Sequence, residues 1–141
     1  MATTRTARTH WEGSLLKGGG SVELASSGLG TFDVTWAART EPPSSGRTSP
    51  EELLAAAHSS CFSMAFSNIL DKAGHAPDSL EVSAEVGFQP GVGVTGSAIR
   101  VRGVVPGMSE DEFVALAHDA KENCPVSKAL SIEITLDAAL A

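Results

Sequence analysis

The stretch from Ser49 to Gly74 constrains this chain more than any other. Ser49-Pro50-Glu51-Glu52 has the grammar of a helix start: a capping Ser, a Pro at the first helical position and a Glu three residues after the cap. Lys72 and Gly74 mark the end, near Ala73. Between them Leu53, Leu54, Ala55, Ala56, Ala57, Phe62, Met64, Ala65, Phe66, Ile69 and Leu70 put apolar side chains on almost every face. A helix apolar all round is buried on all sides. A chain of 141 residues can hardly wrap such a helix alone, so the sequence predicts a homodimer.

Strand patterns surround this helix. Val22 with Leu24, and Phe32 with Val34 and Trp36, alternate between the turn signals Gly18-Gly19-Gly20 and Ser27-Gly28. Glu41-Pro42-Pro43-Ser44-Ser45-Gly46 reads as an exposed, mobile loop. Leu80, Val82, Ala84, Val86 and Phe88 alternate with Glu81, Ser83 and Glu85, as a half-buried strand does. Pro90-Gly91-Val92-Gly93 turns the chain, and Ile99 and Val101 belong to the inner face of the returning strand. Ser109-Glu110-Asp111-Glu112 opens a second, shorter helix with Met108 and Phe113 as a staple, and it stops before Pro125. Ile132, Ile134 and Leu136 close with a strand. The order βββ-α-ββ-α-β describes one α+β domain over residues 1–141.

Charge narrows the function classes. Ten basic against seventeen acidic residues give a net charge of −7, which disfavours nucleic acid and anionic membrane surfaces as partners. No uninterrupted apolar run approaches the roughly 20 residues of a bilayer span. The polar first eight residues lack the apolar core of a secretory signal, so a cytoplasmic address is expected. In a reducing compartment the two cysteines are not expected to form a permanent staple.

Cys61 and Cys124 read equally as small buried hydrophobes or as a redox pair. A metal site is poorly supported: there is no C-x-x-C, His10, His58, His75 and His118 are scattered, and a His58–Cys61 pair lacks further ligands. Cys124, beside Pro125 and among Lys121, Asn123, Ser127 and Lys128, has the polar, flexible setting of a thiol that moves. Cys61 sits in apolar company, where burial raises a thiol pKa. A reactive Cys61 therefore needs a cation from elsewhere in the fold.

His10-Trp11-Glu12-Gly13, Ser49-Pro50-Glu51-Glu52-Leu53, Ala56-Ala57-His58-Ser59-Ser60-Cys61-Phe62-Ser63-Met64, Cys124-Pro125-Val126-Ser127 and Ile134-Thr135-Leu136-Asp137 together resemble the OsmC/Ohr family of thiol-dependent peroxidases, in its osmotically inducible OsmC branch. The motifs run from end to end in family order. The resemblance implies an intertwined homodimer, with long central helices sandwiched by antiparallel-rich sheets and active sites at the subunit interface. It implies reduction of organic hydroperoxides, and more weakly of inorganic ones. Cys61 matches the peroxidatic cysteine, which becomes a sulfenic acid. Cys124 matches the resolving cysteine, which condenses with it to a disulfide. An external dithiol, from a lipoylated protein or a thioredoxin-like donor, then restores both thiols, and no bound cofactor is implied.

The resemblance also assigns Arg39, in Trp36-Ala37-Ala38-Arg39-Thr40, as the cation that favours the Cys61 thiolate. Taken alone Arg39 reads as a solvated charge, and Arg47 competes with it from the same loop without matching the motif. Glu51 matches the carboxylate that orients the arginine, although an acidic residue in a first helical turn is also favoured by the helix dipole. Glu52 suits the capping role better. Ten residues of straight helix would separate Glu51 from Cys61 by about 15 Å. Either the helix breaks near Ser59, or Arg39 and Glu51 come from the partner subunit; the second is favoured. His58 could relay protons but reads better as structural or supporting, and Trp11 and Glu12 read as structural. Two other function classes compete. One is a dimeric binding module whose thiols are incidental. The other is a general disulfide oxidoreductase, which the 63-residue spacing of the cysteines disfavours.

Overall fold

In the computed structural model, which describes residues 1–42 and 44–141, the chain forms β1 (Arg8–Glu12), β2 (Gly19–Glu23), β3 (Thr31–Val34), α1 (Trp36–Thr40), α2 (Pro50–Lys72), β4 (Ser79–Gln89), β5 (Gly93–Val104), α3 (Glu110–Asn123), α4 (Pro125–Ala129) and β6 (Glu133–Leu140). This is the expected α+β order with two short helices added. The residues group into two bodies, Met1–Glu51 and Glu52–Ala141.

In the first body β1, β2 and β3 make an antiparallel sheet in that order, with Arg8 opposite Glu23 and Val22 opposite Phe32. The expected alternation Phe32-Val34-Trp36 ends early. Thr35 takes an extended conformation and its hydroxyl accepts the Ala38 N–H at 3.1 Å, so Trp36 starts α1 instead of extending the strand. A capping Thr ahead of two alanines outweighs the strand pattern there. Val22 is the one buried apolar side chain among the described residues of this body, while Trp11 and Phe32 are exposed. Of the predicted loop, Pro43 lies outside the described residues; Glu41, Pro42, Ser44, Ser45 and Gly46 are exposed.

In the second body β4 and β5 form an antiparallel hairpin, and β6 pairs with β5 in parallel. A parallel partner needs a crossover, and α3 with α4 supplies it. Along β5, Ser97, Ile99, Val101 and Gly103 turn inward, as the period of two requires. Phe62, Phe66 and Leu70 of α2 meet Ile99, Val101, Phe113, Ala117 and Ala120 in one core. Phe66 stacks at a tilt on Phe62 and on Phe113, with ring centroids 5.6 and 5.0 Å away. Gly103 is needed where Phe113 crosses, since a Cβ there would lie 2.7 Å from its ring.

The helix α2 departs from the expectation of burial on every side. His58, Phe62, Phe66 and Leu70 form a buried stripe at a spacing of four, whereas Met64 is 73% exposed. Residues of the chain itself cover one face only. Over an 18-residue window of mean hydropathy 1.3, 22% of α2 is buried; by length and composition it meets the measure of a membrane-crossing helix, although His58 and several serines interrupt its apolar residues. Its C-terminus closes as predicted. Gly74 adopts φ +85°, the Gly74 N–H donates to Asp71 O at 2.9 Å and the His75 N–H to Leu70 O at 2.9 Å.

Candidate active site

The four site residues expected from sequence fall into two pairs, one in each body. The first is Arg39 with Glu51. The guanidinium Nε donates to both carboxylate oxygens, at 3.1 and 3.2 Å, and Nη2 donates to Oε1 at 2.8 Å. Glu51 is 6% exposed, and the Arg39 side chain is partly covered. The guanidinium carbon also lies 5.8 Å from the Trp36 ring centroid. A fork against a carboxylate, flanked by an aromatic face, is the geometry of an oriented guanidinium rather than a solvated one. Arg47 is exposed, and its backbone amide closes a turn on Ser44 O.

The second pair is Cys61 with Cys124. Both are free thiols, both belong to the same packed core, and Cys124 lies near enough to raise the pKa of Cys61. Their surroundings are the reverse of those expected. Cys124 is fully buried at the junction of α3 and α4, packed with Phe113, Ala117 and Ala120, whereas Cys61 is only half-buried. Pro125 explains the junction: it ends α3 at Asn123 and becomes the first residue of α4, so Cys124 caps both helices. Of its polar neighbours, Asn123 and Lys128 are exposed and Lys121 Nζ donates to Ile134 O at 3.3 Å, which local composition could not reveal.

Burial pushes the Cys61 thiol above its ordinary range, the Val126 backbone amide pulls it down, and the adjacent Cys124 thiol pushes it up again. Within its own body Cys61 is therefore not an activated thiolate. A reactive thiolate at Cys61 would need a cation from outside these surroundings, the condition already set from sequence.

One turn before Cys61, His58 is fully buried. Its Nδ1 lies 2.7 Å from Ser97 Oγ on β5 and its Nε2 lies 2.7 Å from Ser127 Oγ on α4. Burial lowers its pKa, so the ring is neutral, with one nitrogen donating and the other accepting. From sequence Ser97 has no part, and Val126 and Ser127 are named only within the Cys124 motif, because no local pattern ties Ser97 and Ser127 to position 58 or Val126 to position 61. Trp11 Nε1 donates to Gly13 O at 2.9 Å, and Glu12 pairs with His10 at 3.2 Å, both on the exposed strand β1. Among the described residues no group of three or more His, Cys, Asp or Glu side chains is placed to hold a metal ion.

Comparison with known proteins converges on one family. A family model described as OsmC-like protein matches residues 43–138. The curated Peroxiredoxin OsmC of Escherichia coli K12 is 37% identical over 140 residues, covering 97% of this chain and 96% of the relative. Among solved structures, the organic hydroperoxide resistance protein OsmC of Legionella pneumophila superposes with a TM-score of 0.71 at 25% identity, over 100% of this chain and 98% of that one. The organic hydroperoxide resistance protein OhrB of Bacillus subtilis superposes with a TM-score of 0.68 at 23% identity, over 96% and 98% of the respective chains.

Proposed function

This chain belongs to the OsmC branch of the OsmC/Ohr family, and from that premise we propose that it is a peroxidase that reduces organic hydroperoxides with Cys61 and Cys124. The observation that carries the proposal is that two thiols 63 positions apart in sequence pack into one core, near enough for Cys124 to raise the Cys61 pKa. In the first step the Cys61 thiolate attacks the distal peroxide oxygen. The O–O bond breaks, the alkoxide takes a proton and leaves as an alcohol, and Cys61 is left as a sulfenic acid. Cys124 then displaces the sulfenic hydroxyl as water and forms the Cys61–Cys124 disulfide. An external dithiol, from a lipoylated protein or a thioredoxin-like donor, reduces the disulfide by two exchange steps and is itself oxidised. No bound cofactor takes part.

Arg39, oriented by Glu51, supplies the positive charge that the Cys61 thiolate and the developing alkoxide require. Because α2 runs unbroken from Pro50 to Lys72, the alternative of a helix broken near Ser59 falls away. The proposed source of Arg39 and Glu51 is then the partner subunit of a homodimer, with active sites at the interface. Two features support that assembly: one face of α2 is uncovered, and the first sheet buries a single apolar side chain among its described residues. The apolar stretches around Cys61 fit alkyl peroxides better than hydrogen peroxide, and a cytoplasmic address fits free thiols.

Turnover by cysteine variants tests the assignment. Cys61→Ser is expected to abolish dithiol-dependent peroxide consumption. Cys124→Ser is expected to complete one oxidation and then stall or over-oxidise to a sulfinic acid. Full turnover in Cys61→Ser would leave the thiols incidental and favour a binding module.

A further inference from the structure

The helix α4 has five residues, too few to hold itself together by backbone hydrogen bonds alone. Pro125 at its start has no N–H, so the Val126 amide is the first donor of α4 and has no partner within the helix. Cys61 and Val126 pack against the same core beside Cys124, and that amide is the group that lowers the Cys61 pKa. The next residue, Ser127, is 8% exposed and is held at 2.7 Å by Nε2 of the fully buried His58. The other ring nitrogen is held at 2.7 Å by Ser97, an inward residue of β5. The imidazole thus links the sheet to the first turn of α4 through two short hydrogen bonds, and no exposed group takes part.

We infer that His58 is a positioning residue for Cys61: through Ser127 it fixes the first turn of α4 so that the Val126 N–H stays on the Cys61 sulfur and the Cys124 thiol stays beside it. The device acts on the thiolate through the backbone, and His58 itself neither touches substrate nor transfers a proton. The inference adds to the proposed peroxidase cycle, but its central test does not depend on that cycle.

The test is the pH dependence of alkylation at Cys61 by iodoacetamide, read by peptide mass in the full-length reduced protein. Loss of one N–H bond to a thiolate should raise the midpoint in Ser127→Ala by about one pH unit, and slow alkylation at neutral pH by up to about tenfold. His58→Phe should give the same shift. The double variant should go no further, because both changes cut one chain of contacts. A role confined to stability would lower Tm and leave the Cys61 midpoint in place. An unchanged midpoint in folded Ser127→Ala overturns the inference, and that variant decides alone if His58→Phe does not fold. Wild-type protein treated with hydroperoxide in parallel separates the two claims. A disulfide there with an unshifted Ser127→Ala midpoint sinks only the positioning role. A shifted midpoint with no disulfide sinks the peroxidase reading and keeps the positioning role.

Discussion

A thiol that attacks a peroxide at neutral pH has to be ionised, and two of the three influences on Cys61 within its own body oppose that. The Val126 amide alone does not reverse burial and a neighbouring thiol. In the proposed mechanism that task falls to Arg39, held as a fork on Glu51. Arg39→Ala should raise the Cys61 pKa by about one to three units, the usual effect of removing an opposite charge from an ionised group. Alkylation rate against pH measures it, and a profile unchanged from wild type would remove Arg39 from the role. Legibility at this scale was uneven. The two cysteines read from their own residues as a redox pair no better than as buried hydrophobes, and Arg39 and Glu51 stood out only through their match to a family pattern, since an isolated Arg reads as solvated and a first-turn Glu as a dipole partner. His58 was visible as a residue, but its partners Ser97 and Ser127 lie 39 and 69 positions away, beyond any local signal.

Among the elements, those with strong periodicity were readable, and those made by a single cap or a proline were not. The alternation in β4 and both long helices follow the sequence to within a residue or two at their ends, and Ile99 and Val101 face inward on β5 as expected. The Ser109 cap accepts the Glu112 N–H at 3.2 Å, with Met108 and Phe113 buried as a staple. The short helices α1 and α4 were missed, and they are the elements that position Arg39 and Cys124. Their five residues offer too little repeat for a period to register. The buried stripe of α2 makes a quantitative prediction of its own. Phe66 is fully buried between Phe62 and Phe113, so Phe66→Ala should cost about 3–5 kcal/mol of stability. Denaturant unfolding reads this directly, and a loss below about 1 kcal/mol would mean that the core at Phe66 re-forms around the smaller residue.

For the whole molecule, the sequence argument that one chain cannot cover α2 meets a chain that covers one face of it. Complementation tests whether the partner's Arg39 serves Cys61. Arg39→Ala and Cys61→Ser proteins should each be nearly inactive. Refolded together, half the dimers are mixed, and each mixed dimer has one intact site. About a quarter of wild-type turnover should return, as two-fold symmetry requires. No recovery above the separate variants would place Arg39 and Cys61 of one site on the same chain. Why this could not be settled from sequence is physical: a swapped arrangement and a closed one use the same elements in the same order.

The two-cysteine cycle is tested most directly by counting free thiols after one equivalent of an organic hydroperoxide, with hydrogen peroxide in parallel. The expected result is rapid loss of both thiols, faster with the organic peroxide, and a Cys61–Cys124 linked peptide by mass spectrometry. Survival of both thiols would contradict the peroxidase account and leave the chain as a member of the family that does not perform this chemistry.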